Sequence, residues 1–263
     1  MADEKPQFLT VGAGSEARDI AWRLSDGARD RPLLVWLGGY RSDMKGTKAL
    51  ELESFARDHG LACLRLDYSG HGESGGEFRD GTISRWLDEA LAVIAHTGFK
   101  RLILIGSSMG GWIALRAVAE LRKSKTATVE GMALIAPAPD FTIDLIEPSL
   151  GEKERRELAE KGYFEEHSEY SPEPNIFTAK LMEDGRANQV LTGIIETGCP
   201  VHILQGMNDP DVPWRHAMKL VEHLPADDVV ISLVKDGDHR LSRPEDLALM
   251  RRALKALLPA EHG

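Results

Sequence analysis

One short run near the middle of the chain limits the possible folds more than any other feature. An apolar, β-branched stretch from Ile103 to Ile105 leads into the pattern Gly-x-Ser-x-Gly at residues 106–110. A helix-compatible segment begins at Trp112. A strand, a sharp turn and a helix in this order require residues without bulk on either side of the turn. The run therefore predicts a strand–turn–helix unit that lifts the Ser108 hydroxyl above a sheet.

This setting is the one in which a serine becomes a nucleophile. Gly106 and Gly110 stand two residues before and two residues after Ser108, where bulk is not tolerated. The neighbouring Ser107 has Ile105 and Met109 at the corresponding positions, so it is the poorer candidate. The alternative interpretation of the pattern is a small-residue turn that only lets a helix pack on a strand.

Strand-like runs alternate with helical patterns through most of the chain, which is typical of an α/β fold with a mainly parallel sheet. The strand runs are continuously apolar, as expected for strands covered by helices on both faces. They are Pro32–Leu37, Leu61–Leu66, Arg101–Ile105, Gly131–Ile135, Val201–Leu204 and Val229–Val234, and Phe8–Val11 and Asp19–Trp22 are predicted to form an antiparallel edge. Predicted helices span about Lys48–His59, Ile83–Thr97, Trp112–Leu121, His216–His223 and Pro244–Leu258.

Length and composition narrow the class of protein. A chain of 263 residues fits one large α/β domain or two small ones; we predict a single domain over residues 1–263. The formal net charge of −10 argues against nucleic-acid or anionic-membrane partners, which require clustered basic residues. Cys63 and Cys199 lack metal-ligand spacing and do not form a disulfide framework.

The sequence also suggests a location. The start Met1–Pro6 is acidic and has no apolar segment, unlike a secretory or mitochondrial leader. No stretch approaches the length of a membrane span. We therefore expect a soluble cytoplasmic protein, and the sequence does not indicate its oligomeric state.

One long segment interrupts the alternation. From Phe141 to about Thr197 there is no strand pattern, only charged helical material at Gly151–Lys161 and scattered aromatic residues. So long an insertion in a compact domain is usually functional, and we predict a small lid over Ser108 at residues 141–197. The alternative is a peripheral decoration. Its apolar residues suggest an acyl pocket or the packing of the lid itself: Phe141, Ile143, Leu145, Phe164 and Phe177.

A nucleophilic serine needs a base, and the base needs an acid to orient it. In this fold the order along the chain is serine, acid, histidine, each in a loop that follows a strand. The loop after Val229–Val234 offers His239 as the base, and the loop after Val201–Leu204 offers Asp209 as the acid. On chemistry alone, Asp211 is an almost equal alternative to Asp209.

Other titratable residues are weaker candidates. Asp236 and Asp238 lie too close to His239 along the chain to reach behind its ring easily, and are expected to be solvated loop carboxylates. The sequence predicts surface positions in or near helices for His59, His216 and His223. His71 lies in a glycine-rich loop that could approach the site, but it precedes Ser108, against the expected order.

The reaction also requires two backbone N–H donors for an oxyanion. One is expected from Met109, directly after the serine and at the start of a helix. The other is expected from Tyr40, after the glycine pair Gly38-Gly39 that follows an earlier strand. The alternative interpretation of the glycine pair is an ordinary turn.

Taken together, these residues resemble the α/β-hydrolase superfamily over about Pro32 to Leu258. Five segments are similar to one branch, the α/β-hydrolase domain-containing protein 10 group: Gly39–Leu50, Asp67–Gly70, Gly106–Trp112, Val212–Trp214 and Asp238–Arg240. The resemblance implies a thioesterase or ester hydrolase and assigns the acid to Asp209, within Gly-x-x-Asp-x-x-Val-Pro. Animal members of that group are mitochondrial, whereas this chain looks like a bacterial-type relative.

The resulting hypothesis is hydrolysis of a carboxylic ester or thioester through an acyl-enzyme on Ser108. No metal or organic cofactor is expected, and the partner is a small-molecule or acylated substrate. The same triad would also serve an acyltransferase or a cofactor-free perhydrolase. A non-catalytic binding module on the same fold is the remaining alternative.

Overall fold

The computed structural model describes residues 5–167, 173–224 and 228–259. At its centre is an eight-stranded sheet formed by β1 (Gln7–Val11), β2 (Arg18–Ser25), β3 (Leu33–Leu37), β4 (Cys63–Leu66), β5 (Arg101–Ser107), β6 (Thr128–Ile135), β9 (Val201–Gly206) and β10 (Val229–Val234); β7 (Tyr163–Glu166) and β8 (Asn175–Thr178) form a separate pair. The strand order in the large sheet is β1-β2-β4-β3-β5-β6-β9-β10. Strand β2 is antiparallel to both neighbours and the other pairings of the large sheet are parallel. The predicted fold class and the antiparallel edge are confirmed.

Eight helices accompany these strands in the described part of the chain. They are α1 (Thr47–Asp58), α2 (Ile83–Thr97), α3 (Met109–Ser124), α4 (Glu147–Ser149), α5 (Glu152–Lys161), α6 (Ala179–Ala187), α7 (Trp214–Glu222) and α8 (Pro244–Leu257). Among the described residues, no helix is both long enough and apolar enough to cross a membrane.

The sheet is buried on both faces, which explains why its strands are continuously apolar. Successive side chains of β3 point to opposite faces. Leu33 and Val35 belong to the core cluster that contains Trp86 of α2, whereas Leu34 belongs to the cluster that contains Phe55 of α1. Both cores are therefore built from alternate residues of the same strands, with helices sealing each face.

Helix α2 shows how local chemistry sets the ends of an element. The Thr82 hydroxyl accepts a hydrogen bond from the Arg85 amide at 3.1 Å and so caps the first turn. At the other end Gly98 has φ of +75°, the left-handed conformation that stops a helix and that glycine adopts without strain. Between these caps lies a buried stripe with helical spacing: Ile83, Trp86, Leu87, Ala90, Val93 and Ile94.

The topology gathers several loops at one edge of the sheet. Strands β3, β5, β9 and β10 are parallel, so their carboxyl ends meet at that edge. The loops that leave these four ends contain Tyr40, Ser108, Asp209 and His239. The fold therefore brings together residues that are separated by up to two hundred positions.

The insertion between β6 and β9 contains two strands, so the prediction of no strand at 141–197 is wrong. Strands β7 and β8 pair antiparallel, with Phe164 opposite Phe177. Each strand has only four residues, too short for an alternating pattern to be recognised in the sequence. A π-helical turn at Thr142–Ile146 and helix α6 were also not predicted. Residues 168–172 of the predicted lid lie outside the described residues.

The insertion shares its core with the sheet. Phe141, Phe164 and Phe177 are buried in the same cluster as Trp112 of α3. Because these rings face other protein atoms, they pack the insertion rather than line an open pocket. The buried Asp140 carboxylate joins the two ends of the insertion by accepting hydrogen bonds from the amides of residues 190 and 191. Its action as a lid stays a prediction.

Candidate active site

Ser108 stands at a sharp elbow between β5 and α3. Its backbone has φ of +54° and ψ of −119°, a conformation that costs a non-glycine residue about 1–3 kcal/mol. The surroundings impose this geometry: a Cβ on Gly106 would lie 2.4 Å from the Gly110 carbonyl oxygen, and a Cβ on Gly110 would lie 2.0 Å from that of Leu37. The two glycines are therefore required because strand, turn and helix pass within backbone contact of one another.

The side chains of Ser108, His239 and Asp209 form a continuous hydrogen-bonded chain. His239 Nε2 lies 3.0 Å from Ser108 Oγ, and His239 Nδ1 lies 2.8 Å from Asp209 Oδ2. A carboxylate only accepts, so the neutral ring carries its proton on Nδ1 and offers Nε2 as an acceptor. This tautomer is the one that can receive a proton from the serine hydroxyl.

Asp209 is held from several directions at once. Its oxygen Oδ1 accepts from the amides of Asp211 at 2.9 Å and Val212 at 2.8 Å. Its oxygen Oδ2 accepts from Gln205 Nε2 at 3.1 Å as well as from His239. The side chain is fully shielded from solvent, so these donors replace water around the charge.

The other carboxylates of these loops are arranged differently, although a carboxylate oxygen of Asp211 also lies within 4.8 Å of Asp209 and His239. Asp211 is exposed and meets Asp209 through its own backbone amide. Asp236 is paired with Arg243 at 2.8 Å, and Asp238 accepts from the Leu241 amide at 2.9 Å. In the structure the carboxylate against the His239 ring is that of Asp209.

The loop after β3 approaches Ser108 closely. A Cβ on Gly39 would lie 3.3 Å from Ser108 Cβ and 3.2 Å from the Ser107 carbonyl oxygen. The turn continues with a hydrogen bond from the Ser42 amide to the Gly39 carbonyl at 3.1 Å. Glycine at position 39 therefore lets the backbone of this loop pass directly beside the serine.

The Tyr40 side chain is anchored in the insertion, a contact that the sequence did not reveal. Its hydroxyl donates to the carbonyl of Ile176 in β8, and its ring stacks on Phe177 with centroids 5.4 Å apart. The rings of Phe78 and Phe141 meet it edge-on. Burial raises the pKa of the Tyr40 hydroxyl well above its ordinary value. One residue thus joins the serine loop to the insertion.

One histidine differs from expectation. The predicted surface position of His216 is wrong: the residue is 6% exposed, and its Nε2 lies 2.7 Å from the Pro139 carbonyl oxygen. His71 is also buried, but its ring meets the Arg41 amide and the Ser69 carbonyl. His59 and His223 are half-buried at helix ends. The amphipathic pattern of a helix does not predict which of these histidines is buried, because loops that are distant in the sequence cover the helix ends.

The described residues contain one group that combines three possible metal ligands. It consists of Asp209, Asp211 and His239, whose ligand atoms all lie within 4.8 Å of one another. His239 Nδ1 and Asp209 Oδ2 are the atoms that already bond to each other. The group therefore shares Asp209 and His239 with the hydrogen-bonded chain to Ser108, and Asp211 lies beside them.

Comparison with known proteins agrees with this architecture. Residues 21–248 match the model of the alpha/beta hydrolase family. Human palmitoyl-protein thioesterase ABHD10, a mitochondrial protein, is 33% identical over 221 residues, which are 83% of this chain and 70% of that protein.

Two solved structures extend the similarity. One from Agrobacterium vitis S4 is 65% identical with a TM-score of 0.95, covering 97% of this chain and 99% of that one. Mouse alpha/beta hydrolase domain-containing protein 10 is 28% identical with a TM-score of 0.83, covering 96% and 97%. The chain therefore belongs to the α/β-hydrolase family, and it is a hydrolase related to the domain-containing protein 10 group.

Proposed function

We propose that the protein hydrolyses carboxylic ester or thioester bonds through an acyl-enzyme on Ser108. The observation that carries the proposal is the unbroken chain of hydrogen bonds from Asp209 through His239 to the Ser108 hydroxyl. In this arrangement His239 Nε2 faces the Ser108 hydroxyl as the acceptor that nucleophilic attack requires. This series of hydrogen bonds ends at Ser108, in a strained elbow that presents the hydroxyl at the carboxyl edge of the sheet.

In the first half of the reaction, Ser108 Oγ attacks the carbonyl carbon while its proton passes to His239 Nε2. The ring becomes an imidazolium, and the buried negative charge of Asp209 stabilises it. The tetrahedral intermediate then collapses. His239 gives its proton to the departing alcohol or thiol, and the acyl group stays on Ser108 as an ester.

The oxyanion is expected to accept hydrogen bonds from the amides of Tyr40 and Met109. Met109 is the first residue of α3, where amides lack intrahelical partners and the helix dipole favours negative charge. Gly39, the residue before Tyr40, lies against Ser108. Among the turn and loop hydrogen bonds of the described residues, none has the Tyr40 amide as its donor, which leaves this amide available to a substrate oxygen.

In the second half, water takes the place of the leaving group. His239 Nε2 accepts a proton from the water as it attacks the acyl carbon, and then returns that proton to Ser108 Oγ. The carboxylic acid leaves and the resting state is restored. Apart from the substrate and water, the groups used in these steps are side chains and amides of the protein.

The substrate class follows from the relatives more than from the insertion. The human relative is named a palmitoyl-protein thioesterase, which favours acyl thioesters or esters for this chain too. The three phenylalanines of the predicted lid are part of the core, so they do not by themselves argue for a long acyl chain. The cytoplasmic location stays a prediction, as the human relative is named mitochondrial.

The test is a set of initial rates on p-nitrophenyl esters from acetate to palmitate, together with a palmitoyl thioester. Ser108→Ala is expected to abolish turnover, whereas Ser107→Ala, which alters the adjacent serine at the end of β5, should retain it. A Ser108→Ala variant with the wild-type rate contradicts the proposal. Rates that rise with chain length favour a lipid-type acyl group, and added alcohol or peroxide that outcompetes water indicates acyltransfer or perhydrolysis.

A further inference from the structure

His71 occupies a position that the proposed reaction does not use directly. The residue lies in the loop after β4 and is 4% exposed. Its Nε2 is 3.2 Å from the Arg41 amide nitrogen, and its Nδ1 is 3.2 Å from the Ser69 carbonyl oxygen. An amide can only donate and a carbonyl can only accept, so Nε2 is unprotonated and Nδ1 carries the proton. The two backbone partners therefore fix which nitrogen of the His71 ring carries the proton.

The amide that His71 accepts belongs to an unusual turn. Arg41 has φ of +56°, a left-handed conformation that a residue with a side chain rarely adopts. The turn runs from Gly39 to Ser42 and is closed by the Ser42 amide on the Gly39 carbonyl at 3.1 Å. A positive φ at the third position of a four-residue turn is normally left to glycine. The His71 acceptor gives the turned peptide between Tyr40 and Arg41 a partner that holds it there.

His71 is in turn fixed from behind by a buried polar network. The Ser69 carbonyl, which accepts from His71, also accepts from Trp86 Nε1 at 3.2 Å. The Ser69 amide donates to the Glu89 carboxylate at 2.8 Å. Glu89 is completely buried and paired with Arg18 at 2.6 Å. His71 therefore connects this buried hydrogen-bond network to the Gly39–Ser42 turn beside Ser108.

We propose that His71 is a positioning residue that holds the Gly39–Ser42 turn so that the Tyr40 amide meets the oxyanion. The inference rests on the proposed function and deepens it. His71 touches no reacting atom; it acts through the Arg41 amide. Burial lowers the pKa of the His71 ring from 6.5 to about 4, so the ring stays neutral near neutral pH and Nε2 remains an acceptor.

The experiment compares His71→Leu with His71→Gln. Leucine removes both hydrogen bonds, whereas glutamine offers an amide oxygen to Arg41 and an NH₂ group to Ser69. A misplaced oxyanion donor should lower kcat of His71→Leu on a p-nitrophenyl ester by about 10- to 100-fold with little change in KM. Glutamine should restore most of this loss. The matched control is His59→Leu, a half-buried histidine bonded to Phe55 within its own helix, with a rate near the wild type.

A second readout separates positioning from general loosening of the fold. A trifluoromethyl ketone adds to the serine and forms an oxyanion, whereas the matching methyl ketone binds without that charge. His71→Leu should weaken the fluorinated ketone by the same factor as kcat/KM and leave the methyl ketone nearly unchanged. Should leucine prevent folding, His71→Met serves as the apolar variant, since methionine fits irregular spaces.

The outcomes divide clearly. A folded His71→Leu variant within twofold of the wild-type kcat overturns the inference. So does unchanged affinity for the fluorinated ketone, or a glutamine variant that is as impaired as leucine at equal thermal stability. Wild-type protein without Ser108-dependent turnover overturns the proposed function itself, and this inference with it.

Discussion

Gln205 Nε2 donates to Asp209 Oδ2, the same carboxylate oxygen that accepts from His239 Nδ1. The glutamine is fully buried at the end of β9, and its Nε2 also lies 3.0 Å from the carbonyl oxygens of Gly206 and Val212. It ties the strand to the loop that carries the acid. Because this side chain fixes the carboxylate that orients the histidine, the position of His239 depends on a residue that never meets substrate.

Gln205→Leu is therefore expected to damage both stability and rate. A hydrogen bond to a charged group contributes about 1.5–3 kcal/mol, so the free energy of unfolding should fall by about that amount. The hydrolysis rate should fall about tenfold, because Asp209 keeps its other donors but loses its lateral support. Urea denaturation and steady-state kinetics measure the two effects. A rate equal to the wild type in a folded Gln205→Leu variant would show that the backbone amides alone hold Asp209.

The two neighbouring aspartates provide a matched pair. Asp209→Asn should lower kcat by roughly 10³- to 10⁴-fold, because an amide in place of the carboxylate favours the wrong tautomer of His239. Asp211→Asn removes an exposed carboxylate and leaves the amide that bonds to Asp209, so its rate should stay within a few-fold of the wild type. Steady-state rates on one ester suffice. The reverse order of the two losses would assign the acid to Asp211.

The two glycines after β3 test the close approach of the oxyanion loop. An alanine Cβ at position 39 meets Ser108 Cβ at 3.3 Å, whereas at position 38 its nearest neighbour is Trp36 Nε1 at 3.7 Å. Gly39→Ala should therefore displace the turn by a few tenths of an ångström and lower kcat by about 10- to 100-fold. Gly38→Ala makes an ordinary contact and should be nearly silent. Equal rates for the two variants would mean that the turn moves without consequence.

The surroundings of Lys48 lead us to expect a specific dependence of the free energy of unfolding on pH. Its ammonium group donates to the carbonyl of Arg240, next to His239. Burial, followed by the positive charge of Arg240, lowers the pKa of Lys48 from 10.5 to about 8. Between these two values the unfolded chain binds the proton that the folded chain has released, so stability should rise with pH across that window. Below about pH 8 both states are protonated, and the cost of the buried charge is fully present.

The measurement compares the free energy of unfolding of the wild type and Lys48→Met at several pH values. The difference between the two proteins should be constant below about pH 8 and should shift in favour of the wild type from there to about pH 10. Lys45→Met, at an exposed lysine of the preceding loop, controls for changes in net charge. A parallel pH dependence for wild type and Lys48→Met would mean that Lys48 titrates normally.

The sheet, the serine elbow and the candidate base were predictable because each depends on local order in the sequence. Continuous apolar runs mark buried parallel strands, and the carboxyl ends of such strands meet at one edge. That argument alone predicts that His239 lies near Ser108, although more than a hundred residues separate them in the sequence. It left Asp209 and Asp211 equivalent, since two residues of one loop differ only in which way the turn points them.

What could not be predicted depends on contacts between distant segments. His216 is buried because the carbonyl of Pro139 and the insertion cover the start of α7. The short pair β7 and β8 is stabilised by Phe164 and Phe177 against the core, not by its own propensity. In the sequence Gln205 is only a polar residue near the end of a strand, and its contact with Asp209 depends on the loop that covers it in the fold. These features carry no periodic signal, so three-dimensional packing decides them.

Covalent trapping of the nucleophile tests the central claim most directly. The protein is treated with a fluorophosphonate, and the adduct is located by intact mass and by peptide mapping, with Ser107→Ala and Ser108→Ala alongside. The account predicts one adduct, on Ser108, with labelling kept in Ser107→Ala, lost in Ser108→Ala and strongly slowed in His239→Ala. Unchanged labelling of Ser108→Ala, or an adduct that maps to another residue, would contradict it.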